Sequence, residues 1–305
     1  MDAAPSSPTV STLAGNGSAG TANGTGSGAR FNNPTGIAVD ASGNLIVCDR
    51  GSARIRKVTP GGVVTTLAGT AGTGFDDGFP ATASFASPRF PAISATGDIY
   101  ISDADNGAIR RINTIDGYVS TFATGIPHPI GVVFDSSGNL AVSDDTTNAI
   151  YKISPSGVVS TFVSSGLDSP GGIKYDAAGN LFVRHLGSPS ILKVTPGGSV
   201  STLAGSGIAG YLDGLGSSAR FDAMVDVAPD AAGNVFVSDY SNNRIRKIDP
   251  GAVVTTYAGS GTTAGWIDGA ALSARFDSPI GIALGSSGQL YVTEFNGHRI
   301  RVITP

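Results

Sequence analysis

Acidic side chains recur at matched places along the chain, and one place breaks the series. Asp49, Asp103, Asp144, Asp239 and Glu294 each close a "V-x-D"-type run, and the remaining position is held by His185 in "LFVRHLG". A histidine among carboxylates can accept a proton near neutral pH or ligate a metal. His128, Lys174, Arg184 and Asp226 belong to the same stretch of repeats, and Tyr211 and Trp266 sit in neighbouring loops. Together, His128, Asp144, Lys174, Arg184, His185, Tyr211, Asp226 and Trp266 form a candidate ligand-binding set. Asp226, Asp144, His128 and His185 could also surround one calcium or zinc ion, which would support a metal-dependent lyase or lactonase-like hydrolase.

Other chemistries find little support. "DADNG" (103–107) resembles part of a calcium loop, but its twelfth position is Thr114, so the bidentate glutamate is missing. His298 lies far along the chain from His128 and His185, which argues against a three-histidine zinc site. No "G-x-S-x-G" elbow, phosphate loop or "H-E-x-x-H" occurs. No residue is assigned a catalytic role, and no cofactor is expected beyond a possible calcium or zinc ion.

The elements that position these residues repeat six times. The copies run over 31–69, 85–123, 126–162, 167–203, 221–259 and 276–305, the last completed by 8–15. In the first copy, four short runs (Gly36–Asp40, Leu45–Asp49, Arg54–Val58 and Val63–Ala68) are separated by turn chemistry such as "DASGN" and "TPGG". Four-stranded meanders at a period near 40 residues indicate propeller blades. The sixth copy lacks its fourth strand, and "PTVSTLAG" (8–15) supplies it from the other end. The expectation is an all-β, six-bladed propeller of four-stranded antiparallel blades, a single domain over 1–305 closed by its N-terminal strand.

The consensus "P-x-G-I-A-V-D-x-x-G-N-L-x-V-x-D-x-x-N-x-R-I-R-K" resembles NHL repeats, and the resemblance covers essentially the whole chain. It implies the propeller fold and binding on the face where the second strands end. It does not select an activity, since similar repeats occur in a peptidyl-amidating lyase domain, bacterial kinase sensor domains and RNA-binding tripartite-motif proteins, with lactonases more distant.

Spacings of 54, 41, 41, 54 and 55 residues between the strand-end positions place long links before blades 1, 2, 5 and 6. These links predict a top rim that is high on one side and low over blades 3 and 4. The "RIR" runs that follow the acidic residues suggest inter-blade ion pairs. Blades 3 and 4 lack these arginines, which relaxes the need for a carboxylate at His185. Lys174 and Asp226 replace small or apolar residues on the innermost strand, as an ion pair across blades or as flanks of a channel ligand. Phe90 should narrow the channel. Phe75, Tyr211 and Trp266 precede acidic-glycine turns, either as loop anchors or as a stacking platform.

A net charge of −4 disfavours nucleic acid. No apolar run reaches membrane-spanning length, and Cys48 has no disulfide partner. The Ser/Thr/Gly-rich composition suits an extracellular or periplasmic protein whose leader is not part of this sequence. The combined expectation is a noncatalytic, monomeric scaffold that binds a protein, peptide or glycan on the top face near blades 3–5.

Overall fold

Turn chemistry and two-residue alternation build the same sheet six times. In blade 1 the strands are Pro34–Val39, Leu45–Asp49, Arg54–Val58 and Val63–Ala68. The first hairpin turns because the Asp40 carboxylate accepts hydrogen bonds from the backbone N–H of Ser42 and Asn44, while Gly43 takes φ +79°. Asp135 and Asp176 repeat this in blades 3 and 4. The computed structural model describes residues 7–70, 72–261 and 263–305.

Each blade pairs its strands antiparallel in chain order, with the first strand innermost and the fourth outermost. In blade 6 the outer strand is Thr9–Ala14, which pairs with Arg299–Thr304 in a register running from Thr9↔Thr304 to Ala14↔Ile300. The first and last segments of the chain thus share one sheet, and the ring closes without an open edge there.

One position of the second strand, filled by Val47, Ile101, Val142, Val183, Val237 and Val292, is fully buried in every blade. These side chains form the apolar packing between neighbouring sheets. The end of the ring where the second strands finish is the top.

The blades differ from six identical meanders at their outer edges. Gly24–Thr25, Gly214–Leu215 and Gly269–Ala270 add a short fifth strand to blades 1, 5 and 6. In blade 2 the corresponding link makes a bridge between Gly78 and Val119. The long links therefore spend their extra residues along the outer edge of the following blade, not on a tall wall around the channel mouth. Among the described residues the remaining helical structure is four 3₁₀ turns of three residues each.

Candidate functional site

The acidic ring is a structural device. Asp49, Asp103, Asp239 and Glu294 are fully buried. Each accepts a backbone N–H from 17 residues upstream, at Asn32, Ala86, Asp222 and Asp277 respectively. Each also pairs with a fully buried arginine seven residues downstream: Arg56 at 3.0 Å, Arg110 at 3.2 Å, Arg246 at 2.8 Å and Arg301 at 2.8 Å. These pairs lie within one blade, so the expected inter-blade pairing is corrected. The second arm of each guanidinium reaches into the preceding link, to Asn23, Asp77, Asp213 or Asp268, and fastens that link to its blade. Burial pushes all four ring carboxyls above their ordinary range, and Glu294 reaches about 7, despite the opposing arginines.

The loop aromatics belong to the same fastening. Phe75 lies 4.9 Å from the Arg110 guanidinium, Tyr211 lies 3.8 Å from that of Arg244, and Trp266 lies 4.3 Å from that of Arg299. Tyr211 and Trp266 therefore sit on the links of blades 5 and 6, apart from the histidines. The aspartates at a fixed distance of 33 residues before the arginines were the signal that identified this arrangement, and the sequence reading did not use it.

One layer below the ring, hydroxyl groups join the blades. Ser102 Oγ accepts from Phe90 N and donates to Ile130 O of the next blade at 2.6 Å. Ser143 and Ser238 repeat this toward Gly171 O and Ile280 O, and Thr293 donates to Thr35 O. In blade 1 the place is held by Cys48, and Thr35 donates to Arg89 O instead.

In blade 4 the hydroxyl position is Arg184. Its guanidinium lies across Gly171, where a Cβ would collide with Nε and Nη2, and Nη1 donates to Ser169 O at 3.0 Å. The other blades carry Thr35, Arg89, Ile130, Val225 and Ile280 where blade 4 has Gly171. The missing side chain makes room for Arg184. The missing staple is replaced by backbone, since Gly172 N donates directly to Val225 O of blade 5 at 3.1 Å.

Arg89 occupies the same layer in blade 2 and is the residue the sequence reading missed. Among the described residues neither Arg89 nor Arg184 has an ion-pair partner, and the Nε of each is buried without a hydrogen bond. Burial lowers both to about 10, with Arg50 acting on Arg89 and Arg89 on Arg184 in the same direction. Asp145 opposes the shift in both, aided at Arg89 by Asp105 and at Arg184 by Asp226. Arg50 and Asp105 line a hollow of about 300 Å³ with Ser87 and Phe295. Phe90, Ile130, Ile280, Val225, Tyr240 and Phe295 form one apolar cluster around this part of the channel.

Of the remaining candidates, His128 joins this group: its Nδ1 lies 2.6 Å from Asp145 Oδ1 and its Nε2 lies 3.5 Å from Asp105. Asp144 is fully buried and accepts from His128 N, Thr146 N and Thr147 N. His185 turns into its own hairpin, with Nδ1 3.0 Å from Ser188 O and 3.2 Å from Ser190 Oγ. Asp226 is fully buried and accepts from Val227 N and Ile282 N, so it bridges blades 5 and 6 rather than facing an open channel.

Burial raises the Asp226 carboxyl, and Lys174 opposes that shift without direct ion-pair contact. The direct Lys174–Asp226 pair is therefore not formed. Phe90 is buried against Gly36 of blade 1 and joins one apolar cluster with Ile130 of blade 3 and Ile280 of blade 6, in keeping with a narrowed channel. Among the described residues no three His, Cys, Asp or Glu side chains converge in a metal-binding group.

Known proteins share this construction. The NHL repeat family matches residues 31–58 and 276–303, in the first and last blades. NHL repeat-containing protein 2 of Bos taurus is 35% identical over 97 residues, which cover 31% of this chain and 13% of that protein. A Bacteroides thetaiotaomicron protein of unknown function superposes with TM-score 0.84 at 22% identity, covering 97% of this chain and 76% of its own.

An auxiliary nutrient binding protein of the same organism gives TM-score 0.80 at 17% identity, with 97% and 76% covered. Virginiamycin B lyase of Staphylococcus aureus gives 0.64 at 14% identity, with 98% and 99% covered. Among the described residues no helix is long and apolar enough to cross a membrane. With these matches at both ends of a ring that repeats one blade pattern six times, the chain is a six-bladed β-propeller whose first and last blades match NHL repeats.

Proposed function

We propose that the chain is a noncatalytic binding propeller whose ligand enters the top mouth of the central channel above blades 2–4. One observation carries the reading. Blade 4 gives up the hydroxyl that joins its neighbours and buries Arg184 there, 7% exposed and without a carboxylate partner. Burying an unpaired cation costs stability, and the same layer is built without an arginine in the second strand of every other blade. A ligand group that completes the pairing accounts for this cost. The likeness to an auxiliary nutrient binding protein supports a binding role, and the composition supports an extracellular or periplasmic setting.

The test is a thermal-shift screen of peptides, oligosaccharides and small organic acids against wild type and Arg184→Ser. Ligands of this site should raise the wild-type Tm by several degrees and leave the variant unshifted, while the unliganded variant is at least as stable as wild type. A panel that shifts neither protein, or shifts both equally, overturns the reading.

A further inference from the structure

At the end of the ring opposite the mouth, where the first hairpins turn, blades 3 and 4 enclose a hollow of about 470 Å³. Space on that scale is ordinary for a small-molecule site. Its walls carry Phe134, Phe162 and Tyr175 together with Asp135, Lys152 and Asp176. A small side chain lies beneath it. The second-strand residue that packs toward the next blade is Ile46, Tyr100, Phe182, Phe236 or Tyr291 in the other blades, and Ala141 in blade 3. Ala141 sits directly opposite Lys152 in the sheet, so the two side chains share the face on which the hollow lies. Phe162 and Tyr175 pack against the cluster that contains Ala141.

The charged groups here have partners. Asp135 accepts from Ser137 N, Asn139 N and Asn139 Nδ2 and lies 3.5 Å from Lys152 Nζ, which sits 4.3 Å from the centre of the Phe162 ring. Burial acts to raise the Asp135 carboxyl, and those N–H groups and Lys152 outweigh it, holding it below the usual carboxylate range. Asp176 accepts from Ala178 N, Asn180 N and Asn180 Nδ2.

Tyr175 is different. Its hydroxyl is buried, and among the described residues no group lies within hydrogen-bond reach of it. Burial, and then the Asp135 charge, pushes its pKa up to about 12, so the oxygen keeps its proton and stays a neutral donor. A buried hydroxyl without a partner costs stability. Phenylalanine would line the wall without that cost, as Phe134 does at the matching place in blade 3. The group that the hollow leaves unmet is thus neutral, and it is set among aromatic rings. A hexose supplies both complements, because its hydroxyls accept and donate while its C–H face lies against aromatic surface. Ser136 and Ala177 on the lining are exposed, so a substituent on the sugar can leave toward solvent.

We propose that the hollow between blades 3 and 4 holds one neutral hexose ring at the end of a glycan, with a sugar oxygen accepting from Tyr175 and the C–H face against the aromatic wall. This site is separate from the channel mouth.

Methyl α-mannoside, methyl β-glucoside and methyl β-galactoside are the probes, followed by NMR titration of the full chain. Cyclohexylmethanol is the comparison, keeping an apolar body and one hydroxyl. At least one glycoside should bind at about millimolar Kd, the range set by ligands of this size, and no more weakly than its free sugar. Cyclohexylmethanol should bind more weakly than that glycoside. Tyr175→Phe should weaken the glycoside by about fivefold without lowering Tm, since it removes the unpartnered group alone. Ala141→Phe, which supplies the side chain that Phe182 provides in blade 4, should abolish binding; if it fails to fold, Tyr175→Phe still decides.

No detectable binding of any of the three glycosides at fifty millimolar overturns the proposal. So does glycoside binding that survives both variants, or a Tm lowered by Tyr175→Phe. Equal or tighter binding of cyclohexylmethanol overturns the sugar and leaves the hollow, and a free sugar that binds where its methyl glycoside does not overturns the glycan end. Repeating the screen of the channel mouth in the Ala141→Phe chain removes any sugar shift that arises here, so the two sites stand or fall separately.

Discussion

Arg246 shows what one residue does in this ring. Its guanidinium meets Asp239, Asp213 and the carbonyls of Arg220 and Leu212 while fully buried. Arg246→Met leaves the buried Asp239 carboxylate without its cation and frees a loop, so denaturant unfolding should show a loss of about 3–5 kcal/mol. Arg246→Lys should recover little, because one ammonium cannot span four acceptors. Glu294 sets a pH dependence. Its ordinary pKa of 4.5 is pushed up to about 7 in the fold, so between those values the native state holds a proton that the unfolded chain releases. Stability should therefore fall as pH rises from 4.5 to 7, a slope that Asp49, Asp103 and Asp239 share in direction. Glu294→Gln should flatten it, as read from unfolding free energies at pH 5 and pH 7.5; an unchanged slope would assign it to other groups. The His185 substitution was visible in the sequence because five carboxylates frame it, yet the side chain serves its own turn. Arg89 was invisible for the opposite reason: its equivalents are Thr35, Ile130, Gly171, Val225 and Ile280, so there is no pattern for it to break.

Strands and links explain why the blades stay together. The hydroxyl staples hold the first strand of one blade to that of the next at a buried position, where an unmatched N–H and carbonyl are expensive. Ser143→Ala orphans Gly131 N and removes one bond to Gly171 O, and should lower stability by about 1–3 kcal/mol. A melting temperature indistinguishable from wild type would show that backbone contacts suffice, as they do at Gly172. The strand boundaries were legible because turn residues bracket each run, and blade 1 matches the expected runs to within two residues. The fifth strands were not, since "ANG", "LDG" and "IDG" read as turn signals, and only the three-dimensional position of the outer strand reveals that they continue the sheet.

The whole molecule depends on its last ladder. Removing residues 7–14 strips the outer strand from blade 6 and the Thr12 contacts that hold Asp268, leaving Arg299–Thr304 as an exposed edge. Light scattering should show association of this truncated chain at micromolar concentration; a stable monomer would mean that closure is dispensable. Ring closure was readable because one copy lacked a strand and another segment matched it. The grouping around Arg89 and Arg184 was not, because Arg50, Arg89, His128, Arg184, Tyr240 and Phe295 come from six different blades and no single repeat contains it. The closing ladder also makes the position of the chain ends arbitrary. Thr9 faces Thr304 across the sheet, as Thr59 faces Val63 in blade 1, where Pro60, Gly61 and Gly62 make the connection. Two glycines placed between Pro305 and Thr9 would reproduce that turn, and new termini could then be opened in the short link near Ser165 between blades 3 and 4. Such a circular permutant would carry its ends beside the low-complexity link instead of in the seam, and blade 6 would become an ordinary continuous hairpin sheet.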